Sequence, residues 1–263
     1  MQPACFIHVF KAGGTSVSDW LCQHYPESAV PPDPIAFRDN PETYLSAPLV
    51  RGHIFARDVI DTDRIILTMV RRPEAQLMSA LWHLVSGAGV GREHKPFAND
   101  SMLEQAALCA KTGAGMQSVF FSARFGDREP SISILDRIHV IGLTERLQDT
   151  LRLFAWKLRL PALREISHAR FSGAGAAGMP QQTKDVLSDI IETDSHLYAY
   201  AERRFERDMA ELAAVSHGDI DAFLDHQARC SLKPAEDLSL GNCVEPSRTT
   251  GGPWHFPRRH GRS

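Results

Sequence analysis

The sequence predicts an α/β fold in which a mostly parallel central sheet is flanked by helices. Short runs rich in Ile and Val, bounded by turn residues and too short for helices, recur at Ala4–Phe10, Leu49–Ile54, Arg64–Val70 and Arg137–Leu143. That pattern is the mark of buried strands. Segments with apolar residues at helical spacing lie between and after them, and strands alternating with helices build a parallel sheet. With 263 residues, 43% of them hydrophobic and 23% charged, the chain can bury one substantial core and is neither a disordered polymer nor a fibrous repeat.

The first strand runs into FKAGGTS and then into the helix-compatible VSDWLCQH. The run Arg64–Val70 leads through Arg71, Arg72 and Pro73 into a helix with Leu77, Met78, Leu81, Leu84 and Val85 on one stripe, and Pro73 suits its first turn. The run Arg137–Leu143 leads to Thr144 as an N-cap and to a stripe of Leu147, Leu151, Phe154 and Leu158. A third stripe carries Leu187, Ile190, Ile191, Asp194, Leu197, Tyr198, Ala201 and Phe205, with a break predicted near Thr193. Residues 87–130 mix a glycine-rich, charged loop with a helix-like piece at Met102–Ala110, which suits an insertion or lid over a site. One domain over residues 1–230 is predicted, followed by a weakly ordered tail, 231–263, rich in Gly, Pro, Arg and His.

A formal net charge of −3 excludes a globally basic nucleic-acid binder and leaves room for a local Arg/Lys cluster that holds a small anion. The five cysteines show no C-x-x-C spacing, so neither a zinc site nor a thioredoxin-like motif is written. No charged segment followed by a long apolar one opens the chain, and no uncharged apolar stretch of ~20 residues occurs. A soluble, cytoplasmic protein without stable membrane insertion is the expectation.

The segment FIHVFKAGGTS has the parts of a phosphate cradle: a strand, Lys11, Gly13 and Gly14, the hydroxyls of Thr15 and Ser16, and a helix start. Glycines let the backbone approach an anion, converging N–H groups and the helix N-terminus favour negative charge, and Lys11 adds a mobile cation. A Walker A loop places its lysine after the last glycine, whereas Lys11 precedes both. The segment resembles the 5'-phosphosulfate loop of sulfotransferases that use 3'-phosphoadenosine 5'-phosphosulfate (PAPS), in the form F-I-H-x-P-K-x-G-G-T-S. Phe10 stands where proline is usual, which loosens the loop without removing a ligand contact.

A second segment, ILTMVRRPEAQLMSALWH, resembles that family's 3'-phosphate motif, R-D-P-x-x-R-x-x-S-x-Y. Arg71 and Ser79 stand eight positions apart, as the family's phosphate-gripping arginine and serine do. Arg72 replaces the usual Asp, Gln76 a common Arg and Leu81 a frequent Tyr. IGLTERLQDTLRLF and DSHLYAYAERRFE resemble two further segments of the family and are read as packing signatures.

The resemblance spans about residues 4 to 210 and implies a P-loop-like three-layer sulfotransferase fold. It also implies PAPS as co-substrate, no metal, and a hydroxyl-bearing acceptor with a sugar favoured. It assigns the 5'-phosphate to Lys11 and the N–H groups of Ala12, Gly13, Gly14, Thr15 and Ser16, and the 3'-phosphate to Arg71 and Ser79.

An attacking hydroxyl must lose a proton, and His53, at a predicted strand end in LVRGHIF, is the candidate base, with His8 and His83 as alternatives. GAGAAG at Gly173–Gly178 fits G-x-G-x-x-G but follows no strand, and GAGVG at Gly87 fails likewise; both read as loops. Two competing readings are a P-loop kinase or other nucleoside triphosphatase, which the position of Lys11 disfavours, and a non-catalytic nucleotide-binding protein. Retention of Lys11, Arg71 and Ser79 weighs against the second.

Overall fold

A computed structural model of the protein describes residues 1–86, 102–163 and 179–232. Among these, five strands form one all-parallel sheet: β1 (Ala4–Ile7), β2 (Ser28–Ala29), β3 (Leu49–Gly52), β4 (Ile65–Val70) and β5 (Val140–Leu143), in the spatial order β2-β3-β1-β4-β5. β1 is the central strand, with Cys5 opposite Val50 on one side and Ile66 on the other. All four of its side chains are buried. A strand covered on both faces carries a continuous apolar run rather than an alternating one, which is why ACFI shows no polar face.

Helices flank the sheet: α1 (Gly14–His24), α2 (Pro34–Asp39), α3 (Pro41–Leu45), α4 (Pro73–Ser86), α5 (Met102–Thr112), α6 (Ile132–Leu135), α7 (Leu147–Leu158), α8 (Gln181–Val186), α9 (Ser188–Val215) and α10 (Ile220–Leu232). The α/β class with a mostly parallel sheet flanked by helices is thus found. α7 and α9 pack on β5, and α10 packs on α7. A second apolar cluster joins Leu77, Met78 and Leu81 of α4 to Ala106 and Cys109 of α5 and to Leu187 and Ile190. Of the stretch read as a lid, the described part therefore sends Ala106, Cys109 and also Phe121 into the apolar interior.

All four predicted strands are shorter than the apolar runs, and at two of them side chains take over at an end. β5 starts at Val140, since His139 Nδ1 accepts from Ile66 N at 3.0 Å in place of a main-chain oxygen. Arg64 lies before β4, and its buried guanidinium donates to the carbonyls of Ala4 (3.0 Å), Ala47 (2.7 Å), Pro48 (3.2 Å) and Leu45. β1 ends at Ile7, although the next N–H, that of His8, still reaches Gly52 O of β3 at 2.8 Å. The predicted helix break near Thr193 is absent: α9 is continuous, and the interruption falls at Leu187, between α8 and α9. α10 runs to Leu232, past the predicted domain end at 230. The Gly87 and Gly173–Gly178 runs, Arg170 and the tail beyond 232 lie outside the described residues. Among the described residues no helix is long and apolar enough to cross a membrane.

Gly142 in β5 shows how closely helix and sheet approach. A Cβ there would stand 2.1 Å from Thr150 Cγ2 of α7. Thr150 cannot move away, because its Oγ1 both accepts from Leu143 N (2.9 Å) and donates to Leu143 O (3.0 Å). Gly142→Ala is expected to lower the unfolding free energy by about 1–3 kcal/mol, the usual effect of overpacking. Adding Thr150→Ser, which removes Cγ2 and keeps the hydroxyl, should recover part of that loss in urea unfolding; no recovery would show that the strain lies elsewhere.

Candidate functional site

The chain leaves β1 toward β2 on one side and leaves β4 toward β5 on the other. Adjacent parallel strands whose connections diverge open a crevice beyond their carboxyl ends, where open α/β sheets bind ligands. The segments that follow β1, β3, β4 and β5 at this edge carry the loop 8–13, His53, Arg71 and Thr144, respectively.

The loop after β1 is a tight turn. Lys11 has φ 59° and Gly13 has φ 81°, both left-handed. Glycine adopts that conformation freely, whereas a residue with a side chain does so at a cost of about 1–2 kcal/mol. The surroundings hold the strained turn by its carbonyls. Phe10 O accepts from Gln76 Nε2 of α4 (2.8 Å), Lys11 O from Arg71 Nη1 (3.4 Å) and Ala12 O from Thr144 Oγ1 (2.7 Å). Gln76 Nε2 also reaches Gly115 O at 2.9 Å.

A trans peptide points its N–H opposite to its C=O. Tying these three carbonyls therefore turns the N–H groups of Lys11 and Gly13 the other way. Ala12 N–H is engaged within the turn, on Val9 O at 3.3 Å. The amides of Gly14, Thr15 and Ser16 begin α1, where first-turn N–H groups lack intrahelical acceptors, and Gly13 caps the helix without a side-chain bond. Of the predicted cradle Ala12 to Ser16, the Ala12 N–H is thus committed within the turn, and Gly14, Thr15 and Ser16 form the first turn of α1.

The two glycines do different work. Gly13 supplies the backbone angle, while at Gly14 a Cβ would lie 2.0 Å from His8 Cδ2, so only hydrogen fits beneath that ring. Burial, then the electrostatic influence of His53, Arg51 and Lys11, pushes the His8 pKa down to about 4, so at neutral pH it is an uncharged packing group. His83 also shifts down, through burial and then Lys11, and its ring meets Phe10 edge-on at 5.5 Å.

His53 is placed differently. Its Nδ1 is 2.6 Å from His8 O. A carbonyl only accepts, so Nδ1 carries the proton and the neutral ring keeps its lone pair on Nε2. The ring stands 4.8 Å from His8 and 6.0 Å from Phe10. Phe10, at the position where the resemblance has proline, thus separates His53 from His83.

Arg71 is half-buried, and its main chain is clasped at both ends: its N–H donates to Gln117 Oε1 (2.9 Å) and its carbonyl accepts from Gln117 Nε2 (2.7 Å). Gln117 is held in turn by Asp194 of α9, whose carboxylate accepts from Gln117 N and Ser118 N, both at 2.9 Å. Next door, Arg72 N donates to Glu145 Oε1 (2.9 Å), and Tyr198 OH donates to Glu145 Oε2 (3.1 Å). Ser79 is buried on α4, three positions beyond Gln76 and so on the same face. Lys184 of α8 pairs with Glu74 of α4 at 2.7 Å.

The structure therefore joins Lys11, Arg71 and the loop directly, while Ser79 shares with Gln76 a buried face of α4. Sequence reasoning missed Gln76, Gln117, Thr144 and Asp194 as the groups that hold the site. Asp194 had a signal, a carboxylate in the middle of an apolar stripe. No family model matches the chain, and no curated protein matches it either. The functional reading rests on the motifs and on this geometry.

Burial raises the Asp194 pKa from 3.8 to about 6, against the lowering effect of the Gln117 and Ser118 bonds. The folded protein thus binds this proton more tightly than the unfolded chain does. The stabilising contribution is fully present below about pH 4 and is lost as pH rises through 6. Urea unfolding of wild type and Asp194→Asn across pH 4–7.5 should show the wild-type stability falling relative to the variant by at most about 3 kcal/mol; a constant difference would contradict the raised pKa.

Proposed function

We propose that the chain is a PAPS-dependent sulfotransferase that moves a sulfuryl group to the hydroxyl of an acceptor, a sugar being favoured. The observation that carries this reading is the tie from Arg71 Nη1 to Lys11 O at 3.4 Å, which couples the two anion-binding segments across the β1–β4 crevice. A nucleotide with phosphate groups at both its 3' and 5' positions needs two such segments at one edge. A nucleoside triphosphate needs one, extended around its phosphate chain, with the lysine after the glycines. The residues present suit the first ligand: a strained amide turn with Lys11 at one end, and the half-buried guanidinium of Arg71 at the other.

PAPS supplies an activated sulfuryl group, whose sulfur–oxygen bond to the nucleotide breaks as the acceptor oxygen bonds to sulfur. The amides of Gly13 to Ser16 hold the 5'-phosphate, and Arg71 with Ser79 holds the 3'-phosphate. The Lys11 ammonium stabilises the charge that develops on the leaving oxygen. His53 accepts the acceptor's proton on Nε2, the nitrogen left basic by the bond from Nδ1 to His8 O. Phe10 packs edge-on against both His53 and His83.

Transfer of label from PAPS to a mixed hydroxyl-acceptor panel tests the activity, and it should persist in excess EDTA, where a magnesium-dependent kinase stops. Lys11→Ala is expected to lower kcat by ~10²–10³ and His53→Ala by ~10²–10⁴. Arg71→Ala should weaken binding of adenosine 3',5'-bisphosphate more than tenfold in calorimetric titration, as expected for a lost charge-assisted pair. Binding indifferent to that change would sink the 3'-phosphate assignment.

A further inference from the structure

β3 and β4 lie on opposite sides of β1, so the region beyond His53 faces away from Arg71. An aromatic chain leads outward there: His53 to Phe120 (6.1 Å), Phe120 to Phe55 (5.8 Å) and Phe55 to Phe125 (6.1 Å). Phe55 and Phe125 wall a cavity of about 210 Å³, which Arg57, Thr112, Asp127 and Arg128 also line. It belongs to neither anion-binding segment.

The lining is of a mixed kind. Phe125 is 63% exposed, a large aromatic surface for a soluble chain to present to solvent. The Arg57 guanidinium lies 4.1 Å over the Phe55 ring and 5.8 Å from that of Phe125, with Arg38 over Phe125 at 5.2 Å. Arg57 Nη1 donates to Ser122 Oγ at 3.0 Å, which fixes the guanidinium against the wall. Its acidic neighbour Asp58 is only at the limit of an ion pair, 4.0 Å. Arg38, Arg57 and Arg128 thus face Asp58 and Asp127, an excess of positive charge around an aromatic surface.

Size, surface and charge narrow the occupant. A cavity of about 150 Å³ takes one benzene ring, so about 210 Å³ admits one six-membered ring with its substituents. A phenol needs one polar partner, whereas the Asp127 carboxylate and the Arg57 and Arg128 guanidinium groups all border this cavity; the Thr112 and Ser122 hydroxyls there are engaged within the protein, with Leu108 O and with Arg57 Nη1. That variety matches a polyol, and the excess of guanidinium groups matches an anionic one. We propose that this cavity is the acceptor subsite and takes a sugar ring carrying an anionic group, with its C–H face on Phe125 and the anion toward Arg38, Arg57 and Arg128. The assignment of an acceptor role rests on the sulfotransferase reading; the preference for an anionic sugar rests on the cavity itself.

Saturation-transfer NMR and titration with glucuronate, glucose and 4-nitrophenol, each with and without adenosine 3',5'-bisphosphate, provide the test. Glucuronate is expected to bind about threefold or more tightly than glucose, and to lose roughly three- to tenfold on Phe125→Ala, the span of an aromatic contact. Arg128→Gln should erase most of the preference over glucose and leave glucose binding unchanged. Neither variant should alter binding of adenosine 3',5'-bisphosphate, and the exposure of Phe125 makes loss of folding at that position readily excluded by an unchanged melting temperature. Preference for 4-nitrophenol, or glucuronate binding untouched by both substitutions, would overturn the subsite. Glucuronate bound as expected by a protein that does not take the nucleotide would overturn the donor reading alone.

Discussion

Three consecutive carbonyls, those of Phe10, Lys11 and Ala12, are held by side chains from three other parts of the fold, and the site depends on that restraint. A left-handed lysine is not a conformation the local chain selects for itself. It persists because Gln76, Arg71 and Thr144 fasten the oxygens on either side of it. What this produces is a turn whose amide groups are oriented before any ligand arrives, so that little ordering remains to be done on binding.

The restraint continues outward. Arg71 is dependable as a strap because Gln117 grips both ends of its main chain, and Gln117 is dependable because both carboxylate oxygens of Asp194 hold the turn it starts. Thr144 and Glu145 act from the end of β5, one on the loop and one on Arg72, and Tyr198 of α9 steadies Glu145. α9 thereby supports the site from behind although its apolar stripe is spent on the sheet.

The sequence made the sheet legible because strands buried on both faces are written as plain apolar runs, and it made the loop legible because glycines, lysine and hydroxyl residues sit next to one another. It could not show where those runs stop. His139 and Arg64 end or precede strands by using side-chain atoms in place of main-chain ones, and nothing in their neighbours' hydropathy marks this. Gln76 looked like a departure from a motif, and only its bonds to Phe10 O and Gly115 O reveal what an uncharged amide does there. Thr144 read as a helix cap and Asp194 as one more position on a stripe. Their roles are set by partners far along the chain, which local periodicity does not encode.

The spans of those three ties bear on how the molecule comes to exist. They close over 60, 66 and 132 positions. Long-range contacts form only after the entropy of closing the intervening chain has been met, so they come late in folding. The loop leaves the ribosome well before its last strap, Thr144, which follows 132 positions behind Ala12. During synthesis β1 and the glycines after it exist for a long interval as an unanchored segment, and the turn is fully fastened only when the fifth strand docks.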